Sequence, residues 1–380
     1  MSVPKAMKNP FAYSNYVTGE SFCNRKKELR ELLKYIKGSQ NVLLYSHRRY
    51  GKSSLIQQAF REIREAGLNI GGMHVDLYGT ISEKDFITRT FHGLSQLESD
   101  FRRLLKSAGR AMKNIKLNLS VDSVTGSPLV SPSFDAVNEK AVLEELMNIL
   151  LKYSQKQKLV IAFDEFQEVA CYTETGFEKR LRSFIQQHSD ICYIFSGSQQ
   201  HLITEMFSSN NRAFYKLAES FPLGKIDTEH YIPWVRNLFS IKKIDLSSEL
   251  IEDIVARFEN HPMYIQNFLF HLWEMPVKKG VSSEMTDNIE NAIIEKRSLE
   301  HTVLWETLSI NQKKTLKLIL LNNGSNLFSA DSLRSVNLKT GSLVTKALSS
   351  LMKKEIIVKN GRYMIQDVIF KKWLQKTLLA

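Results

Sequence analysis

Asn41 to Phe60 reads NVLLYSHRRYGKSSLIQQAF: an apolar strand, a basic loop that closes on Gly-Lys-Ser-Ser, then a helix. Val42, Leu43 and Leu44 make a short buried strand, and Leu55, Ile56, Ala59 and Phe60 recur at helical spacing beyond the loop. The turn between them faces a helix N-terminus, whose leading amides have no internal partner and point at any anion in front of them. The stretch therefore reads as a nucleotide phosphate cradle. Gly51 lets the backbone come close, Lys52 reaches the outer phosphates, and the Ser53 hydroxyl is placed to ligand Mg²⁺, the roles of these positions in G-x-x-x-x-G-K-[ST]. Ser46 stands where that pattern has its first glycine; with His47, Arg48, Arg49, Tyr50 and Ser54 it completes the candidate phosphate-binding set. Gly-Lys-Ser alone is a weak signal, because short basic turns are common.

A second stretch, Lys158 to Glu168 (KLVIAFDEFQE), supplies what the first lacks. Leu159 to Phe163 is a continuous apolar run, as in a strand covered on both faces, and it ends in Asp164 and Glu165. Asp164 is expected to hold the Mg²⁺ shell, directly or through water, and Glu165 to polarise the attacking water. Two acids could also simply end a strand where solvent begins. The phosphate loop upstream, in the right order and separation, favours nucleotide binding.

The bulk properties narrow the class. The chain has 380 residues, 43% hydrophobic and 24% charged, which suits a globular protein with room for two sizeable cores and argues against disorder. Cys23, Cys171 and Cys192 show no metal or redox spacing, so a reduced, cytoplasmic protein is expected. The N-terminus MSVPKAMKNPF lacks the apolar core of a signal peptide, and no apolar run reaches the ~18 residues of a membrane span, so no membrane partner is expected. A formal charge of +12 calls for an anionic partner, nucleic acid first.

Ahead of the cradle, Phe22-Cys23-Asn24-Arg25 leads into an amphipathic helix through Glu28, Leu29, Leu32, Leu33 and Ile36. Phe22 is the candidate to stack on the base; the alternative is a hydrophobic staple of that helix. Leu68 to Tyr78 reads as a second strand ending near Asp76, with a helix from Ser82 through Leu94. Residues 115–135 alternate and then turn rich in Ser, Pro and Gly, which predicts an inserted strand pair or loop. A helix follows from Glu139 to Tyr153, and another from Phe177 to His188. Ile191 to Phe195 is a further buried strand ending in Ser196-Gly197-Ser198-Gln199, where Ser198 and Gln199 are candidate sensors of the terminal phosphate, or parts of a plain turn. Arg212, on the loop before a last strand near 221–226, is a candidate transition-state cation for its own or a neighbouring subunit, against the alternative of a solvated arginine.

Taken together, Phe22 to Leu29 (FCNRKKEL), RRYGKSSLI from Arg48, FDEFQE from Phe163, SGSQQHL from Ser196 and NRAFYK from Asn211 resemble the prokaryotic archaeal-type ATPase family, one of the AAA-related and STAND P-loop NTPases. The resemblance covers nearly the whole chain. It implies an α/β P-loop NTPase fold of AAA (ASCE) type: a parallel five-stranded sheet, with the glutamate strand between the phosphate-loop strand and its neighbour, a small helical lid and a C-terminal winged-helix domain. It also implies ATP as the nucleotide. Asn260-His261-Pro262 is similar to the family's Gly-His-Pro or Gly-Asn-Pro lid motif, which would set Pro262 near the adenine; read alone, the tripeptide is a helix break. Asn24, Ser46 and Asn260 each replace a family glycine.

The expected domains are the ATPase core over 1–226, the lid over 227–300, with helical patterns at Tyr231 to Phe239, Leu250 to Phe258 and Tyr264 to Trp273, and the winged helix over 301–380. The last segment holds 13 Lys and Arg against 4 Asp and Glu, an excess of nine that makes up most of the chain's net charge of +12. Helices at 311–321, 329–336 and 340–353 precede a hairpin turning at Asn360-Gly361, the order of a winged helix-turn-helix. Thr345, Lys346, Ser349, Lys353 and Lys354 on the third helix, with Lys359 and Arg362 on the wing, are candidates to meet DNA phosphates. Few arginines are placed to read bases, so binding would be mainly electrostatic. Two functions compete: an ATP-driven switch or slow ATPase with a winged-helix output, and a DNA-binding or protein-docking adaptor whose nucleotide is structural.

Overall fold

A computed structural model describes residues 8–94, 97, 116–121, 128–133, 139–276 and 280–379; of 116–121 and 128–133 it describes the backbone. Residues 122–127, within the insertion expected over 115–135, and the first seven residues lie outside that set. Two compact units emerge, Ser14–Lys225 and a second made of Met1–Tyr13 with Ile226–Ala380.

In the first unit the strands are β1 (Val42–Tyr45), β2 (Ile70–Asp76), β5 (Lys158–Asp164), β6 (Ile191–Gly197) and β7 (Glu219–Pro222). They form one parallel sheet in the order β2-β5-β6-β1-β7. The acid-bearing β5 therefore lies between β2 and β6, and it is β6 that separates it from β1, which corrects the expected placement beside the phosphate-loop strand. Between β2 and β5 the inserted segment forms the predicted strand pair, β3 (Lys116–Val121) antiparallel to β4 (Pro128–Ser133).

Alternation along the strands assigns their two faces. Val42, Leu44, Val160, Ala162, Cys192 and Ile194 bury with Leu29, Leu32 and Ile36 of α1 (Lys26–Lys37) and with Leu55, Ile56, Ala59 and Phe60 of α2 (Lys52–Glu65). Leu43, Ile161, Phe163, Tyr193 and Phe195 point the other way. They pack against α3 (Glu83–Leu94), α4 (Glu139–Ser154), α5 (Phe177–Gln187) and α6 (Gln200–Ser208). Helices thus cover both faces, which is why the strands read as unbroken apolar runs. The parallel direction also sends every strand's C-terminal end to one edge, where ligands of such sheets bind.

In the second unit, α7 (Thr228–Ser240), α8 (Ser248–Arg257) and α9 (Pro262–Glu274) realise the three predicted helical patterns, and α10 (Ser283–Lys296) follows as a helix the sequence reading did not name. Phe11 is buried here against the rings of Trp234, Phe239 and Trp273, and the Asn9 amide donates to Phe270 O at 3.1 Å. After α11 (Ser298–Glu306) come α12 (Ile310–Leu321), α13 (Ala330–Ser335) and α14 (Gly341–Lys353). The antiparallel pair β8 (Ile357–Asn360) and β9 (Arg362–Ile365) and a last helix, α15 (Val368–Leu378), complete the chain. Ser309 and Gln312 form a reciprocal capping box on α12, and Ser329 caps α13, so these two helices begin at residues that satisfy a leading amide. Among the described residues no helix is long and apolar enough to cross a membrane.

Candidate active site

The site is built at the C-terminal ends of β1, β5 and β6. Register places Leu44 of β1 beside Ser196 of β6, and Phe163 of β5 beside Phe195, so the residues that follow meet at one edge. At the end of β1 the loop 46–51 turns through Gly51 at φ +94°, a conformation that costs an L side chain strain even though space around Gly51 is open. Helix α2 starts at the next residue with no side-chain cap and no acid in its first turn. Its leading amides thus face the loop without a side-chain cap, as an anion cradle requires. Lys52 is 6% exposed and its Nζ lies 3.5 Å from both Ser46 O and Ser46 Oγ, a lysine drawn back over its own loop.

Asp164, 7% exposed, is held from three sides. Ser53 Oγ donates to Oδ2 at 2.6 Å, Ser196 Oγ donates to Oδ1 at 2.8 Å, and His74 Nε2 on β2 stands 3.4 Å from Oδ2. Burial acts to push this carboxyl up; the hydrogen bond and charge of His74, then the hydroxyls of Ser53 and Ser196, outweigh it and hold the group well below the usual carboxylate range. Asp164 is therefore an anion throughout neutral pH. Glu165 turns the chain at φ +52°, left-handed backbone that costs a non-glycine residue about 1 kcal/mol. Its Oε2 accepts from Ser198 Oγ at 2.8 Å, from Ser198 N at 3.3 Å, and from Gln167 Nε2.

The structure thus brings Ser53, Asp164, Glu165 and Ser198 into one hydrogen-bonded neighbourhood, with Glu165 N donating to Asp164 Oδ1 at 3.1 Å, while the Lys52 ammonium lies against Ser46. Other candidates sit differently. Ser54 Oγ accepts from the Val17 amide at 3.0 Å, and Gln58 Oε1, one turn on, accepts from Gly19 N at 2.8 Å, so these side chains tether the segment 14–22 along α2. Phe22 packs, half-buried, against the α1/α2 core. Tyr50 is buried, its ring 5.5 Å from that of His47, whose imidazole is held below its ordinary value by burial and then by the charges of Lys52 and Lys225. Arg48 and Arg49 are exposed on the loop. Gln199 opens α6, its carbonyl accepting from Ile203 N at 3.0 Å. Arg212 pairs with Glu178 of α5 at 3.1 Å. Pro262 takes the first turn of α9 in the second unit, where its missing N–H is no loss.

Sequence reasoning gave Arg25 no role. It is 3% exposed, and its guanidinium binds Glu28 at 2.9 Å, Tyr50 O at 3.0 Å and Gly224 O at 2.7 Å. One planar fork thus ties α1 to the phosphate loop and to the chain after β7. An arginine in a helix-opening loop was visible in the sequence; its burial and its carbonyl partners, 25 and 199 positions away, were not. The replaced family glycines also find their reason. Asn24 at φ +49° and Asn260 at φ +58° keep the left-handed backbone that asparagine tolerates best among side-chain residues, while Ser46 is not left-handed at all. Asn260 adds two hydrogen bonds of its own, to Ile226 O at 3.0 Å and Thr228 Oγ1 at 2.9 Å.

Residues 22–268 match the family described as an ATPase domain predominantly from Archaea. The chain belongs to that family. Residues 300–376 match a second family, "Probable winged helix domain". An uncharacterized ATP-binding protein of Methanocaldococcus jannaschii is 25% identical over 271 residues, covering 65% of this chain and 69% of the relative. Among solved structures, a Walker-type ATPase of Pyrococcus abyssi superposes with a TM-score of 0.67 at 18% identity, over 96% of this chain and 99% of that one. The Aeropyrum pernix ORC2 protein, solved as ADPNP-ADP complexes, gives 0.54 at 12% identity over 97% and 98%. At these identities the two structures speak for the fold: a parallel-sheet P-loop ATPase with a C-terminal winged helix.

The donors present suit Mg²⁺. That ion takes hard oxygen ligands and is usually held by one or two carboxylates together with substrate phosphates rather than by an all-protein cage. Ser53 Oγ and Asp164 Oδ2, 2.6 Å apart at the mouth of the cradle, offer such a pair.

On the winged helix, Thr345, Lys346, Ser349 and Lys353 line the exposed face of α14, and Lys354, Lys359 and Arg362 are exposed beside it. Lys359 Nζ lies 5.3 Å over the Tyr363 ring. The basic residues of α15 are spent inside the unit: Lys371 pairs with Glu259 at 2.7 Å, Lys372 with Glu290 at 2.6 Å, and Lys376 donates to Asn291.

Proposed function

We propose that this protein binds ATP with Mg²⁺ in the loop 46–54 and hydrolyses its terminal phosphoanhydride slowly, as a nucleotide-driven switch whose output is the winged helix. The observation that carries the reading is the hydrogen bond from Ser53 on α2 to Asp164 on β5, which sets a cradle hydroxyl against an ionised carboxylate.

The leading amides of α2 and the Lys52 ammonium bind and orient the triphosphate; the exposed Arg48 and Arg49 add positive potential at the loop. Ser53 and Asp164 would hold Mg²⁺, which when bound neutralises charge on the phosphate oxygens. Glu165 orients water against the terminal phosphorus and takes its proton as the new P–O bond forms and the bond to the ADP oxygen breaks. Ser198, through its hydroxyl and amide, fixes the Glu165 carboxylate and is the residue by which the end of β6 senses the terminal phosphate. The switch reading draws on the second unit. Lys371 joins the winged helix to Glu259, the residue before Asn260-His261-Pro262, so displacement of that turn would carry α15 with it. Cys23, Cys171 and Cys192 form no disulfide, and burial pushes the thiols of Cys23 and Cys192 up to about 12, which suits a reducing cytoplasm.

The test is turnover. Purified protein should release phosphate from ATP slowly, and Glu165→Gln should retain bound ATP without releasing it; equal phosphate release from both proteins would remove the enzymatic reading. DNA is proposed as the partner of the winged helix because Lys346, Lys353 and Lys354 form an exposed basic face on α14, while the basic side chains of α15 are paired.

A further inference from the structure

Gln167 lies two residues beyond Glu165, in the 3-10 turn Phe166–Cys171, and is 2% exposed. Its Nε2 donates to Glu165 Oε2, the oxygen that also accepts from Ser198. Its Oε1 is buried and has no hydrogen-bond partner among the described residues. The amide is seated against Gly197 at the end of β6: a Cβ there would stand 2.4 Å from Gln167 Oε1 and 2.4 Å from Ile203 Cδ1. The sequence therefore leaves out a side chain at Gly197 where the Gln167 amide needs the room.

As a packing choice this is poor. A buried amide oxygen without a partner costs about 1–3 kcal/mol, and a leucine or methionine would fill the same volume without that penalty. What an apolar side chain could not do is hold Glu165 Oε2. We propose that Gln167 is a positioning residue for Glu165, and that with Ser198 it pins Oε2 so that the carboxylate meets the attacking water through Oε1, which accepts no hydrogen bond from the described residues. Glu165 needs such a brace, because it sits on left-handed backbone at a strand end, and Gln167 supplies it from the turn that follows. Gly197 belongs to the same device as the floor of the Gln167 seat.

The inference rests on the ATPase reading above, and the experiment separates the two. Gln167→Met and Gln167→Leu are compared with wild type for Mg-ATP affinity, KM, kcat and thermal melting. Both variants should bind Mg-ATP within about twofold of wild type with unchanged KM, melt at or above the wild-type temperature, and lose about 10- to 100-fold in kcat. Gly197→Ala, which displaces the amide without removing it, should lower kcat in the same sense. In Glu165→Gln protein, Gln167→Met should leave the residual rate unchanged. Wild-type kcat in either Gln167 variant overturns the inference, as does a fall in kcat matched by lost affinity and a lower melting temperature, which would make Gln167 a structural residue. A wild-type protein that releases no phosphate overturns the ATPase reading, and the inference with it; turnover in wild type with equal turnover in the variants overturns the inference alone.

Discussion

Ser53 Oγ, in the first turn of α2, donates to Asp164 Oδ2, the last residue of β5, at 2.6 Å across 111 positions of chain. Neither residue has a packing reason to reach the other, and β6 lies between β5 and β1, the strand that leads through the loop into α2. The contact exists because parallel strands end at one edge and the phosphate loop folds over it. A hydroxyl and a carboxylate so placed are two of the oxygens a magnesium nucleotide needs.

Arg25 should matter to both stability and binding. Arg25→Met leaves Tyr50 O and Gly224 O without their donor and should destabilise the first unit by about 2–4 kcal/mol, with weaker ATP binding because the phosphate loop loses its anchor. Arg25→Lys should recover less than half of this, since one ammonium cannot span Glu28 and both carbonyls. Denaturant unfolding with a nucleotide titration checks it; full recovery by lysine would show that charge alone suffices.

His188 supplies a pH dependence. It is buried, its Nδ1 2.6 Å from Tyr193 Oη, and burial lowers its pKa from 6.5 to about 4. Between those values the unfolded chain holds a proton that the folded one does not, so the contribution is complete above about 6.5 and is lost as pH falls to about 4. His188→Gln should flatten the wild-type decline in that window. Urea unfolding at pH 7, 6, 5 and 4 reads the difference between the two proteins; parallel curves would contradict it.

The basic face of α14 predicts salt-dependent DNA binding. Affinity should fall steeply with salt, and Lys346→Glu with Lys353→Glu should weaken it and reduce the slope by about 2, one unit for each phosphate contact removed. Double-stranded DNA titrated at two or more salt concentrations is sufficient. Unchanged affinity in the double variant would show that α14 is not the contact.

The sheet, its loop and its acids were legible because each is local: an apolar run, a Gly-Lys-Ser turn, a strand ending in Asp164 and Glu165. The order of strands was not, since nothing in β5 or β6 alone says which one borders β1. The roles of His74, Ser196 and Gln167 escaped for a related reason. Each acts on a carboxylate through a geometry set by sheet register or by a tight turn, and a lone His, Ser or Gln carries no sequence signal. Gly197 was readable only as a turn residue; a Cβ there would stand 2.4 Å from Gln167 Oε1, a proximity that no local pattern announces. Arg212 shows the opposite case, a suggestive cation that the fold engages with Glu178.

The central claim is that the loop and the acidic strand end converge on one magnesium triphosphate. Titration calorimetry of ATP, with and without Mg²⁺, against wild type, Lys52→Met and Asp164→Asn tests it most directly. Binding by wild type that strengthens with Mg²⁺ is predicted, with about 10- to 100-fold loss in Lys52→Met and loss of the Mg²⁺ enhancement in Asp164→Asn. A folded wild type that takes up no ATP at millimolar nucleotide and Mg²⁺, or variants that bind as it does, would contradict the account.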